Sequence, residues 1–143
     1  MKNVLLLTLV FATISITGFA QVKAPKLVLD AFKQKFPDVT SVKWQKEDTH
    51  EYEATFHSKG VKTSANFSDT GELLETETEI KFSDLPNNIQ TAFTTKYPQL
   101  KAKTISKIET ARGVITYELE MKQAGKTVVV FYSQDGIEIP LHN

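Results

Sequence analysis

Apolar residues recur along this chain at two spacings, and the switches between them mark its elements. Leu27, Val28, Ala31, Phe32 and Phe36 fall at helical spacing behind Pro25, a residue suited to a first helical turn. Pro37 ends that run, because the residue before a proline avoids helical backbone. The period then becomes two. Tyr52, Ala54 and Phe56 alternate with Glu51, Glu53, Thr55 and His57; Val61, Thr63, Ala65 and Phe67 alternate with Lys62, Ser64 and Asn66. Leu74, Thr76, Thr78 and Ile80 alternate in the same way with Glu75, Glu77 and Glu79. Strands of this kind have one buried and one wet face, as antiparallel sheets do. A second helix is expected around Pro86, with Ser83 or Asp84 as candidate caps. Ile89, Phe93 and Tyr97 form its apolar stripe at i, i+4 and i+8, with Ala92 beside them. Further strands follow, and the short links 58–60, 68–71, 123–125 and 133–136 each supply a glycine for a hairpin turn.

The same order of signals occurs twice. Pro25, Phe32, Phe36 and Pro37 are followed 61 residues later by Pro86, Phe93, Tyr97 and Pro98. Tyr52-Glu53, Gly60, Phe67-Ser68 and Gly71 are followed 65 residues later by Tyr117-Glu118, Gly125, Tyr132-Ser133 and Gly136. The change of offset places about four extra residues near Glu109 to Gly113 in the second copy. The expected fold class is therefore α+β: two tandem α-β-β-β-β repeats, residues 21–82 and 83–143, with the helices packed on one face of antiparallel sheet.

Trp44, Tyr52, Phe56, Phe67, Tyr117 and Tyr132 fall on the expected core face, opposite Phe32, Phe36, Phe93 and Tyr97. Two positions break the pattern. If Val128, Val130 and Tyr132 point to the helices, Val129 and Phe131 point away, where the first copy has Ser64 and Asn66. An apolar pair on a face without a helix over it reads either as a contact surface or as a strand buried on both sides, and Val114 is a candidate to join it. Ile105 and Ile108 differ by an odd step, so they face opposite sides of their strand unless a bulge intervenes.

The first twenty residues belong to another class. Lys2 precedes a short apolar run, Val4 to Ile16, and Gly18-Phe19-Ala20 offers small residues at a cleavage site before Gln21. This is a secretory signal pattern, and the run is well short of the roughly 20 apolar residues that span a bilayer. A cleaved signal peptide at 1–20, a periplasmic or secreted address and no membrane span after cleavage are the expectations. The 17 basic and 17 acidic residues balance, which argues against a nucleic-acid partner. There is no Cys, which excludes disulfides, thiol catalysis, thiolate metal sites and Cys-anchored lipidation.

Chemistry-bearing constellations are sparse. The chain has no G-x-S-x-G elbow and no Gly-rich phosphate loop. His50 and His57 are seven residues apart in one expected strand, hence on opposite sides, and no nearby carboxylate is evident to orient either as a catalytic base. No catalytic residue, cofactor or metal ligand set is therefore assigned, and no enzymatic activity is expected. Glu51, Glu53 and His57 share a strand face, and Glu75, Glu77 and Glu79 form a second acidic row. Neighbours along a strand face are about 6.5–7 Å apart, too far to chelate one ion without convergence. Lys43, Lys46 and Lys62 are available as cross-strand counter-charges.

The run Val42-Lys43-Trp44, then Tyr52-Glu53-Ala54, then Phe67-Ser68-Asp69-Thr70-Gly71-Glu72-Leu73-Leu74 resembles the PepSY-like, β-lactamase-inhibitor-protein-like exported proteins of Bacteroidetes. Tyr117-Glu118, Tyr132-Ser133, Gly136 and the two Phe-x₃-[Phe/Tyr]-Pro helix ends extend the likeness over most of residues 22–140. The resemblance implies strands from both repeats joined in a broad, concave sheet, the surface with which the inhibitor relatives bind an enzyme. It supplies no catalytic residue to carry over, and this chain departs from the inhibitors in having no disulfide. The leading expectation is a non-enzymatic exported binding module that engages a protein through its open sheet face, with Glu51, Glu53, Glu75, Glu77, Val129 and Phe131 as candidate contacts. The alternative is a small-ligand or divalent-ion binding protein using the acidic rows.

Overall fold

Residues 22–140 are described by the structure, a computed structural model; the expected export segment lies outside them. Helix α1 (Lys26–Lys35) is followed by β1 (Val42–Lys46), β2 (Glu51–Ser58), β3 (Val61–Ser68) and β4 (Leu73–Glu79). A 3₁₀ turn (Phe82–Asp84) leads to α2 (Asn87–Lys96), then β5 (Ala102–Thr110), β6 (Ile115–Gln123), β7 (Lys126–Ser133) and the short β8 (Glu138–Ile139). All eight strands lie in chain order in one open antiparallel sheet. Strands β4 and β5 pair across the middle, from Glu75↔Thr110 to Glu79↔Ser106.

Two buried clusters lie against one face of this sheet. Val28 and Phe32 of α1 join Trp44, Ala54, Phe56, Ala65 and Phe67 in the first. Ile89 and Phe93 of α2 join Ile105, Tyr117, Leu119, Met121, Val130 and Tyr132 in the second. Phe56, Phe67 and Tyr132 are almost wholly buried, as expected of the large side chains that stabilise a small domain. Leu27 differs from the expected apolar stripe and is exposed. It sits one position before Val28, and a ten-residue helix presents only one such stripe to its core.

The hairpin turns explain how strands of this length stay in register. Lys59-Gly60 and Ala124-Gly125 have positive φ at both residues, 51° and 81° in one and 49° and 78° in the other. That is the backbone of a two-residue turn whose twist matches the flanking strands. Between β3 and β4 the register shifts at Asn66/Phe67, so that Phe67 faces Leu73. Leu73, not Leu74, therefore packs on the first cluster. The one-residue bulge reverses the expected side of Leu74 while Thr76 and Thr78 keep theirs. The second helix also starts differently. Asp84 accepts a hydrogen bond from the Lys81 N–H within the 3₁₀ turn (3.1 Å), and Pro86 occupies the cap position of α2, so neither Ser83 nor Asp84 caps that helix.

Candidate functional site

The strand register settles which residues share the face away from the two clusters. Glu53 lies across from Gln45 and Asn66, Asn66 from Glu75, and Glu75 from Thr110. Ser64 pairs with Glu77, Glu77 with Ile108, and Ile108 with Thr116. Ser106 pairs with Glu118, Glu118 with Phe131, and Glu120 with Val129. Glu51, Glu53, Glu75, Glu77, Val129 and Phe131 thus all occupy one face of one sheet, spread over β2, β4 and β7. The acids stand over the first strands and the centre, and the apolar pair stands towards β8.

The face has further members beyond the six candidate contacts. Glu118 and Glu120 alternate with buried Tyr117, Leu119 and Met121, so the period-two rule was sufficient to place them. Ile108 is 8% exposed and sits beside Glu77 and Thr116, while Ile105 belongs to the second cluster. The odd step between the two isoleucines is real: β5 buries a side chain on each face, and its only register shift lies earlier, between Ala102 and Thr104. Ser106 completes the set, facing Glu79 and Glu118. Phe131 is 4% exposed and Val129 is half-buried. Val114 does not join them; it is exposed in the β5–β6 turn, where its N–H donates to Thr110 Oγ1 (3.1 Å).

The carboxylates on this face lack the counter-charges that the sequence offered. Lys43 pairs across the ladder with Thr55 and Lys62 with His57, gathering positive charge at one corner of β1–β3. Lys46 lies over the Tyr52 ring at 5.7 Å. Among the described residues the ion pairs are Lys26–Asp30, His50–Asp69, Lys96–Glu138 and Lys107–Glu109, and none involves the acidic rows. Neutral groups hold part of the row instead. Asn66 Nδ2 donates to Glu51 Oε1 (2.7 Å), and the Gln45 amide donates to both Glu47 (3.1 Å) and Glu53.

Crowding of unneutralised acid shows in the proton affinities. Burial, then repulsion from Glu77, Glu120 and Glu75, pushes the Glu118 carboxyl up to about 7. Burial, then Glu51, Glu77 and Glu53, raises Glu75. Burial and the neighbouring Glu53 push Glu47 up to about 7 at the edge of the row. Each shift has the sign expected when a carboxylate loses water without gaining a cation.

Two chemical alternatives can be placed. His50 does have a carboxylate partner, contrary to the sequence reading: the β3–β4 turn brings Asp69 Oδ2 to 2.7 Å from His50 Nδ1. The pair is exposed, and the neighbouring Ser68 hydroxyl is engaged with Thr70 Oγ1 and the Glu72 N–H rather than with the imidazole. It is a turn clasp, without the nucleophile–base bond that acyl-transfer chemistry requires. Among the described residues, no three His, Asp or Glu side chains are grouped to hold a metal ion. None of the described helices is long and apolar enough to cross a membrane.

The fold is an open eight-stranded antiparallel sheet with two helices and an acidic face whose rows form no ion pair among the described residues. Residues 50–139 match the family described as putative beta-lactamase-inhibitor-like, PepSY-like, and the chain belongs to that family. No curated protein matches it. Several solved structures share the fold. A protein of Bacteroides eggerthii DSM 20697, described as a putative periplasmic protein, superimposes with a TM-score of 0.77 at 16% identity, covering 83% of this chain and 88% of that one. A DUF2874 family protein of Bacteroides ovatus ATCC 8483 gives 0.74 at 21% identity, covering 83% and 86%. A BLIP-like protein of Bacteroides fragilis NCTC 9343 gives 0.68 at 24% identity, covering 83% and 85%.

Proposed function

We propose that this chain is a non-enzymatic exported binding module that engages a protein through the sheet face opposite its two helices, in the manner of an inhibitor. The observation that carries this reading is the convergence of Glu51, Glu53, Glu75, Glu77 and Val129 on one sheet face, with the acids left without ion-pair partners among the described residues; Phe131 shares that face but is buried. A periplasmic or secreted address follows from the signal pattern of residues 1–20 and accords with the fold neighbour described as periplasmic.

The module is read as two copies of one α-β-β-β-β unit, 21–82 and 83–143, with a helix on the same face in each. Matching positions support this. Helices α1 and α2 are 61 residues apart, the ends of β2 and β6 are 65 apart, and β3 and β7 are 65 apart. The turn glycines behave alike as well. A Cβ on Gly71 (φ 86°) would lie 2.8 Å from the Leu27 carbonyl oxygen of α1. A Cβ on Gly136 (φ 80°) would lie 3.0 Å from the Asn88 side chain of α2, and Leu27 and Asn88 are themselves 61 apart. In both units the last turn docks on the first turn of the helix, and only glycine allows that approach.

The test is site-specific photo-crosslinking in the organism's own envelope fraction. A probe at Val129 or Glu77 should capture one reproducible protein, and a probe at Lys33 on α1 should not. Equal capture from both surfaces would sink the reading. The same unpaired carboxylates support the second reading, a small-ligand or divalent-ion binder. Calorimetric titration with calcium and zinc decides that one, heat and a thermal shift being required for it.

A further inference from the structure

The acidic rows are more specific than a soluble sheet surface needs to be. Glu53 on β2 and Glu118 on β6 are four strand spacings apart, about 19 Å. Glu51, Glu75, Glu77 and Glu120 are distributed around and between them, all half-buried. That span is far wider than the shell of one ion, in which carboxylate oxygens converge to about 2.5 Å from the metal. It is the size of a peptide segment laid across strands. Lysines reach this face only at its margins, Lys43 and Lys62 at the β1–β3 corner and Lys122 bonded to Thr127, and among the described residues none forms an ion pair with the rows; Lys26, Lys33 and Lys35 lie on α1 and Lys96 on α2.

A second observation comes from the floor of the face. Ser106 and Thr116 are 4% and 5% exposed, and neither hydroxyl has a hydrogen-bond partner among the described residues. No fully buried side-chain oxygen or nitrogen lacks a partner, so both hydroxyls keep an opening onto the face. Ser106 pairs with Glu118 and Thr116 lies two residues along the same strand from it. Each hydroxyl is thus carried by a nearly buried side chain yet stays open to a donor arriving from outside. Glu118, Ser106 and Thr116 together therefore offer acceptors for an ammonium or guanidinium group, with Ile108 beside them to cover its aliphatic stem.

We propose that the occupant of the face is a cationic protein segment, extended across β4–β6, whose Lys or Arg side chains pair with Glu75, Glu77 and Glu118 and reach Ser106 and Thr116. This rests on the binding-module reading and names the partner's chemistry. Charge complementarity of this kind sets specificity and association rate.

The test uses fluorescence anisotropy with two labelled decapeptides, one alternating lysine with valine and one alternating glutamate with valine. The full exported chain should bind the lysine peptide and not the glutamate peptide. The triple variant Glu75→Gln/Glu77→Gln/Glu118→Gln should lose at least about tenfold in affinity, since three charge-assisted contacts are removed. The charge-matched control Asp30→Asn/Asp38→Asn/Glu109→Gln, off the face, should stay within about twofold of the parent, as screened distant charges do. Equal losses in the two variants, or equal binding of the two peptides, would overturn the proposal. So would a calcium-induced thermal shift that the triple variant abolishes, which makes an ion the occupant. Crosslinks from the face to a partner segment without Lys or Arg would overturn this inference and leave the binding module standing. Crosslinks that avoid the face would remove both.

Discussion

The two halves of the sheet bury their helices with different chemistry. Around α1 the core is aromatic. Phe32 has the rings of Phe36, Trp44, Phe56 and Phe67 at centroid distances of 5.1 to 6.2 Å, and Phe36 meets Phe56 at 4.7 Å. Around α2 the core is mostly aliphatic, with Leu119 and Met121 fully buried, and among the described residues the matching Phe93 has only Phe82 and Tyr97 as ring partners. Three changes go together. Phe36, Phe67 and Leu73 in the first half correspond to Tyr97, Tyr132 and Glu138 in the second. Tyr97 Oη donates to Glu138 Oε1 (3.2 Å), Tyr132 Oη donates to Glu138 Oε2 (3.3 Å), and Lys96 Nζ lies 2.8 Å from Glu138 Oε1. A buried hydroxyl is tolerated only with a partner, so the two tyrosines and the glutamate had to appear as a set. The difference teaches that one backbone plan accepts either an apolar or a wired core edge, but not half of each.

The largest effect should separate the halves by truncating the matching phenylalanines. Phe32→Ala removes a ring with four aromatic neighbours and should cost about 4–5 kcal/mol, near the top of the usual range for such truncations. Phe93→Ala should fall nearer about 3 kcal/mol. Urea denaturation of both variants measures the gap. Equal losses would mean that ring–ring contacts add nothing beyond the buried area.

What the sequence made legible follows from which interactions repeat along the chain. The helix and strand periods, the turn glycines and the core face of Trp44, Phe56, Phe67, Tyr117 and Tyr132 are local or periodic signals, and the structure agrees with them. Leu74 was misplaced because a bulge is a property of two strands together, here β3 and β4, and no period announces it. The His50–Asp69 clasp was missed for a related reason, since a turn brings the carboxylate to the histidine from another hairpin. On the face, the positions of the acids were readable, whereas the absence of counter-ions was not. Lys43 and Lys62 share that face, and only the register shows them set against Thr55 and His57.

The wired edge of the second half offers an intermediate effect. Glu138→Leu restores the residue type of Leu73 but leaves the Tyr132 hydroxyl buried without its acceptor. Burial and the adjacent Glu138 already raise that phenol's pKa, so it stays a donor across the working pH range. The single change should cost about 1–3 kcal/mol, the usual penalty of an orphaned buried donor. Adding Tyr97→Phe and Tyr132→Phe, which recreates the first half's set, should recover most of it. A triple variant no more stable than Glu138→Leu would show that the loss came from Lys96 pairing or packing instead.

The smallest effect concerns the face rather than the core, and it runs against the usual direction for a surface carboxylate. The Glu118 carboxyl is pushed up to about 7 in the folded chain, from the ordinary 4.5 of a glutamate. The folded state therefore holds the proton more tightly than the unfolded one between those values. Stability from this group is fully present below about 4.5 and falls as the pH rises through 7, above which it is flat. Glu47 titrates at about 7 as well and adds to the same slope. Glu118→Gln removes the charge and keeps the shape, so at pH 8 it should be more stable than the parent by about 1 kcal/mol after allowing for solvent screening, or about 4 °C in Tm. At pH 4.5 the two should melt together. A variant that is less stable at pH 8 would show that Glu118 has a cationic partner in the free protein. If the gain appears, the acidic face costs stability in the unbound chain, a pattern expected where a surface is kept for binding rather than for folding.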